Sequence, residues 1–134
     1  MRMPVVLGLL VLTGCPTNDG TCLVDSDCAG GEVCARNSEC LTSSAVRVVR
    51  VEWTVGGMPA SETSCATTQN LALNFYGDRL DDAVGFVPVP CKIGKFTVDK
   101  LPTRFASAEL GRDGGAATVK AIDAAGTVRF DLAP

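Results

Sequence analysis

The sequence predicts an all-β protein: a small β-sandwich of about seven strands, preceded by a short disulfide-stapled segment. Three observations carry that expectation. Beyond residue 45, apolar and polar residues alternate with period two through a series of short runs. Gly- and Asp-rich turn signals separate those runs at short intervals, and no stretch of ten or more residues keeps a helical period. Seven cysteines in 134 residues, four of them evenly spaced, point to an oxidising compartment and to bridges as the support of the front segment.

Composition narrows the function classes. Hydrophobic residues make up 46% and charged residues 20%, as in a folded globular chain. A net charge of −3 lacks the Lys/Arg excess of a nucleic-acid binder, so no nucleic-acid partner is expected. The chain has no histidine, which excludes Ser-His-Asp and Cys-His catalysis and every His-containing zinc site.

Residues 1–14 read as an export signal. Arg2 supplies a positive front, and Val5, Val6, Leu7, Leu9, Leu10, Val11 and Leu12 supply an apolar stretch. It falls far short of the ~20 residues that span a bilayer, which suits a cleaved signal peptide. The segment Leu12-Thr13-Gly14-Cys15 that follows resembles the lipobox of bacterial lipoproteins. The resemblance implies that the Cys15 sulfur carries a diacylglycerol, that the chain is cut before Cys15, and that the new amino group takes an acyl chain such as palmitate. Each buried methylene contributes about 0.8 kcal/mol, so two or three chains anchor a protein permanently. Residues 15–21 then form a lipidated tether, and the membrane becomes a partner. Pro16 stands where an aspartate would favour retention in the inner membrane, so the outer membrane of the cell envelope is the expected location.

With Cys15 set aside, six cysteines remain: Cys22, Cys28, Cys34, Cys40, Cys65 and Cys91. The economical arrangement places two bridges within residues 22–40 and one between Cys65 and Cys91. The first group, with Asp27-Cys28, Gly31-Glu32-Val33-Cys34 and a closing Cys40, is similar to small Asp-Cys modules near the N-termini of secreted bacterial proteins. Overlapping bridges Cys22–Cys34 and Cys28–Cys40 are the preferred pairing, since they staple both loops; the nested pairing stays open. The module offers little apolar material beyond Leu23 and Val33, so its fold must come from the bridges, at roughly 3 kcal/mol each. Five-residue spacing does not suit structural zinc, whose ligand pairs lie two to four residues apart. Asp25, Asp27 and Glu32 lack the stepped oxygens and closing Glu of a calcium loop and read as a solvated acidic turn. No metal or cofactor is expected.

Residues 41–45, small and largely polar, read as a linker to a sandwich domain over 46–134. In VRVVRVEWTV, Val49, Val51, Trp53 and Val55 share one face, while Arg50, Glu52 and Thr54 share the other; Trp53 is assigned to the core. In LALNFYG, Leu71, Leu73 and Phe75 alternate with Ala72, Asn74 and Tyr76. In GFVPVPC, Val87, Val89 and Cys91 are placed on one side, and Pro88 and Pro90 demote the run to an edge strand. KFTVD, RFASAEL, ATVKAID and TVRFDL supply four more runs. A Cys65–Cys91 bridge would close a loop of 27 residues, counting both ends. Leu101-Pro102 and the later AIDAAGTVRFDL resemble the rhythm of Ig-like sandwiches of the prealbumin or carboxypeptidase-regulatory type, with an Asp-x-x-Gly hairpin near the end. The Cys65/Cys91 pair and the Pro-rich strand depart from that pattern. The resemblance implies a non-catalytic module and transfers no binding residues.

The expected function is that of a membrane-anchored envelope lipoprotein acting as a non-catalytic binding or structural module, with an envelope protein or polysaccharide as partner. The alternative is a protease-inhibitor-like or other ligand-binding secreted protein, although Ala29-Gly30-Gly31 gives an inhibitory loop no anchoring side chain. The sequence carries no G-x-S-x-G, Ser-x-x-Lys or phosphate-loop motif, and no catalytic residues are assigned. The acidic cluster Asp78, Asp81 and Asp82 reads as a charged hairpin tip.

Overall fold

The computed structural model describes residues 21–134. The segments expected to form an export signal and a lipobox, with Cys15, lie outside the described residues. Within them the chain is all-β and forms a small sandwich behind a disulfide-bonded hairpin.

The front module begins with a single 3-10 turn, Asp25–Asp27, followed by strands β1 (Glu32–Cys34) and β2 (Cys40–Thr42). The two strands pair antiparallel, with Cys34 opposite Cys40. The disulfides are the overlapping pair, Cys22–Cys34 and Cys28–Cys40. An isolated bridge between Thr21 and Glu39 brings the incoming chain alongside the hairpin. Residues 41–45 are not a bare connection. Leu41 and Thr42 complete β2, and Ser43–Ala45 form a second 3-10 turn. The Ala45 carbonyl accepts the Thr103 amide at 2.9 Å, which ties this turn to the sandwich.

The sandwich comprises β3 (Val46–Val55), β4 (Met58–Pro59), β5 (Asn70–Tyr76), β6 (Ala83–Pro90), β7 (Lys95–Pro102), β8 (Ser107–Arg112), β9 (Ala117–Ala121) and β10 (Thr127–Leu132). Seven of these are the seven alternating runs of the sequence; the two-residue β4 is the addition. One sheet is antiparallel throughout, in the order β6-β5-β8-β9. The other is built on β3. Parallel β10 lies along one edge over Arg50–Val55, so antiparallel β7 and the short β4 share the opposite edge.

Alternation decides which side chains meet between the sheets. Val49, Val51, Trp53 and Val55 of β3 face Leu71, Leu73 and Phe75 of β5 with Ala108 and Leu110 of β8, all buried in one cluster. Phe86 of β6 joins the layers. Its ring lies edge-on to Phe75 at 6.2 Å and tilted against Phe96 of the facing sheet at 5.0 Å. On the outer face Glu52 meets its register partner Arg129 at 2.8 Å, and Thr54 Oγ1 donates to Asp131 at 2.7 Å.

Two sequence expectations change here. Val87 does not share a face with Val89: it is exposed, whereas Val84 and Phe86 are half-buried and Val89 is buried. Leu71 pairs with Val89 and Leu73 with Phe86, so β6 carries an extra residue beside Pro88 and its parity flips there. Proline has no amide to donate to the ladder, which is why a bulge accommodates it. The Asp123-x-x-Gly126 turn is not a hairpin within one sheet either. Gly126 N–H donates to the Asp123 carbonyl, and the chain crosses from β9 to β10 in the other sheet. Gly126 sits at φ +75°, and a Cβ there would lie 2.5 Å from the Val48 carbonyl oxygen. That close approach lets its own carbonyl accept the Arg50 amide at 2.7 Å.

The third disulfide, Cys65–Cys91, lies inside the core cluster. It pins the connection before β5 to the 3-10 turn Cys91–Ile93, whose first carbonyl accepts the Trp53 indole N–H at 2.7 Å. Bridge and tryptophan therefore support each other. Replacing both cysteines, Cys65→Ala/Cys91→Ala, should lower the unfolding free energy by ~3.5 kcal/mol, read from the urea midpoint. Cys65→Ala alone leaves the fully buried Cys91 thiol, which should react with a thiol reagent only after denaturation.

Candidate functional site

The side chains with the most chemistry gather where the front module docks on the sandwich. Strand β7 creates the dock. Arg47 pairs with Leu101 but Val49 pairs with Val98, so β7 holds an extra residue across from Val48. Lys100 occupies the left-handed region, at φ +51°. That conformation costs a lysine about 1–2 kcal/mol, which the contacts around it must offset. The Lys100 carbonyl accepts the Arg36 amide at 3.0 Å, and Lys100 Nζ reaches both oxygens of Asp25 at 2.8 Å. Arg36 Nε–H donates to the carbonyl and the carboxylate of Asp99, and the guanidinium pairs with the same carboxylate. Asp25 also accepts the Cys34 amide at 2.9 Å.

A second cluster centres on Arg104, in the connection from β7 to β8. Its Nε and Nη2 grip the two oxygens of Asp82 at 2.6 and 2.8 Å, and Nη2 also reaches Glu39 of the module at 2.8 Å. Glu39 in turn meets Arg79 at 3.5 Å. One guanidinium thus joins the β5–β6 turn, the β7–β8 connection and the stapled hairpin. Asp82 is buried, and its bond to Arg104 holds the carboxyl below its ordinary value; the same bond favours the charged form of Arg104. Gly77 is required beside it, because a Cβ there would lie 2.6 Å from Asp82 Oδ2.

The acidic cluster of the sequence is therefore divided by the fold. Asp82 is a structural counter-ion, Asp78 stands 4.0 Å from Arg104 at the edge of the cluster, and Asp81 is exposed. Asp25 answers Lys100, and Asp27 accepts the amides of Leu23 and Val24 at 2.9 and 3.0 Å. The sulfurs of Cys22, Cys28 and Cys40 lie within 4.8 Å of one another because two bridges stack, and a bridged sulfur offers no thiolate to a metal. Trp53 borders an open concavity of about 520 Å³ with Ile93 and Phe130, but the residue is only 4% exposed and its indole N–H donates to the Cys91 carbonyl. Sequence reasoning missed Arg104. The available signal was an acidic turn with too little positive charge of its own, which needs a cation from elsewhere in the chain.

No protein-family model, curated protein or solved structure matches the chain. Among the described residues, no helix is long and apolar enough to cross a membrane.

Arg104→Met should destabilise the protein by about 2–3 kcal/mol, below the roughly 3–5 kcal/mol of breaking a fully buried pair because the Arg104 side chain stays 17% exposed. Arg104→Lys, which keeps the charge but loses the two-pronged grip, should fall between, by urea denaturation.

The junction should also respond to acid. Lys100 holds Asp25, Arg104 holds Asp82 and Arg36 holds Asp99 below the ordinary carboxyl value of 3.8. A lowered carboxyl contributes stability that is fully present above that value and lost as pH falls through its folded value. In amide NMR spectra, the Cys34 and Arg36 resonances should titrate with midpoints below 3.8, while the disulfides keep the module intact.

Proposed function

We propose that the chain is a lipoprotein of the bacterial cell envelope, anchored in the outer membrane through acyl chains on Cys15. Residues 1–14 act as the export signal, 15–21 as the tether, and the stapled module and sandwich as a non-catalytic binding or structural body. The observation that carries the reading is the fate of the cysteines. Six of the seven pair among themselves, and the seventh, Cys15, closes Leu12-Thr13-Gly14-Cys15 directly behind an apolar run. An odd cysteine in an exported chain needs another chemistry, and thioether lipidation supplies it. The three disulfides agree with export to an oxidising compartment.

The non-catalytic reading draws support from the carboxylates. Asp25, Asp27, Asp82 and Asp99 are engaged by cations or backbone amides, which favours structural roles. The sandwich is read as prealbumin-like or carboxypeptidase-regulatory-like, and its partner as an envelope protein or polysaccharide. That placement is an argument from architecture.

The test is processing. The wild-type chain, recovered from membranes, should begin at Cys15 and carry added acyl mass. Cys15→Ala should accumulate as an uncut precursor that still carries residues 1–14. A mature chain with an unmodified N-terminus at another position overturns the proposal.

A further inference from the structure

We propose that Leu23, Val24 and Leu80 form a membrane-resting face that lies in the zwitterionic headgroup region of the bilayer holding the Cys15 acyl chains; this rests on the lipoprotein reading above. Leu23 is 90% exposed, Val24 56%, and Leu80 fully exposed. Lone exposed apolar residues are ordinary on any surface. These three are set apart by their position around the point where the tether enters. Thr21 bridges to Glu39, Glu39 pairs with Arg79, and Leu80 follows Arg79. Leu23 and Val24 come directly after the first disulfide residue, Cys22, and both their amides are held by Asp27 Oδ2. Their backbone is bound inward, and their side chains are left outside.

Chain length selects the occupant. Six peptide steps separate Cys15 from Thr21, and an extended chain covers at most ~3.6 Å per step, so the lipid interface lies within about 22 Å of Thr21. At that range a weak apolar contact is intramolecular, and a high effective concentration favours it. Local charge selects the headgroup. Asp27 and Asp81 stand nearby with no ion pair and Asp78 only grazes Arg104 at 4.0 Å, whereas Arg79 is already paired with Glu39. The face is thus slightly acidic, and a zwitterionic interface suits it better than an anionic one. Met58, 62% exposed, marks the opposite end of the sandwich, since the ten residues of β3 extend ~33 Å.

The experiment places the full lipidated protein in vesicles of phosphatidylcholine with brominated chains. Leu23→Trp, Leu80→Trp and Met58→Trp are compared with the parent, whose buried Trp53 gives the background emission. The first two should shift to the blue and lose most of their added emission to bromine, whereas Met58→Trp should keep a water-like, unquenched spectrum. All three positions are exposed, so folding should survive, and cooperative melting confirms it. If the protein floats with the vesicles but Leu23→Trp and Leu80→Trp stay unquenched, the face is overturned and the anchor stands. A blue shift without bromine quenching, accompanied by crosslinking to twice the mass, assigns the face to a second copy and also overturns it. A chain that neither floats nor carries acyl mass removes the lipoprotein reading and this proposal together.

Discussion

Strand β3 must satisfy neighbours on both edges while burying every second side chain, and most of the architecture follows from that constraint. Its alternate residues Val49, Val51, Trp53 and Val55 are at most 4% exposed, so its register cannot slip by one without turning that set to water. One edge is taken by β10, which must come close enough that only glycine fits at position 126. The other edge is taken by β7, which has to bury both Val98 and Leu101. Those two are three residues apart, and an unbroken strand would point them to opposite faces. The extra residue at Asp99-Lys100 resolves the conflict. It also turns a carbonyl, a carboxylate and an ammonium outward, and these receive the stapled module. A packing requirement inside the sandwich thereby makes the docking site on its surface.

The module is held together and held in place by different forces. It has almost no apolar interior: Cys22 and Ala35 are its only buried hydrophobic residues, and Leu23 and Val24 face water. Two bridges of about 3 kcal/mol each therefore define its shape. Its ion pairs with the sandwich are mostly half-exposed, and exposed pairs contribute only about 0–1 kcal/mol each. Such pairs set orientation better than they set stability. Arg104 is the exception, since it is largely buried and serves the sandwich and the module at once.

Whatever depended on local periodicity or on counting was legible in the sequence. The seven long strands announce themselves by alternation, and six cysteines in two separated groups suggest two bridges in one and one in the other. Features decided between distant segments were not legible. Alternation says that TVRFDL is a strand, but not that it lies parallel to β3 at the sheet edge. The parity change at Val87 comes from a bulge beside Pro88, which a strict period-two reading places on the wrong face. The small polar residues at 41–45 look like a linker because the hydrogen bonds that order them run to β1 and to Thr103, out of view of any local pattern. Arg104 stood unremarked for the same reason: its carboxylate partners lie 22 and 65 positions away along the chain.

The bridges and the dock together bear on how a tethered body could be presented. A flexible segment that reached the sandwich directly would let it take any attitude to the surface that anchors it. Here the chain first passes through a hairpin crossed by two disulfides, which is then fastened to β7 through Arg36, Asp99, Lys100 and Asp25, and to the β5–β6 turn through Glu39. Rotation between hairpin and sandwich would break several of these contacts at once and would take Glu39 away from Arg104 and Arg79. Hairpin and sandwich are thereby held in one relative orientation. In a chain anchored at Cys15, the end of the sandwich that carries Met58 and the concavity beside Trp53 would face away from the anchor, and the hairpin would act as a stiff spacer between the two.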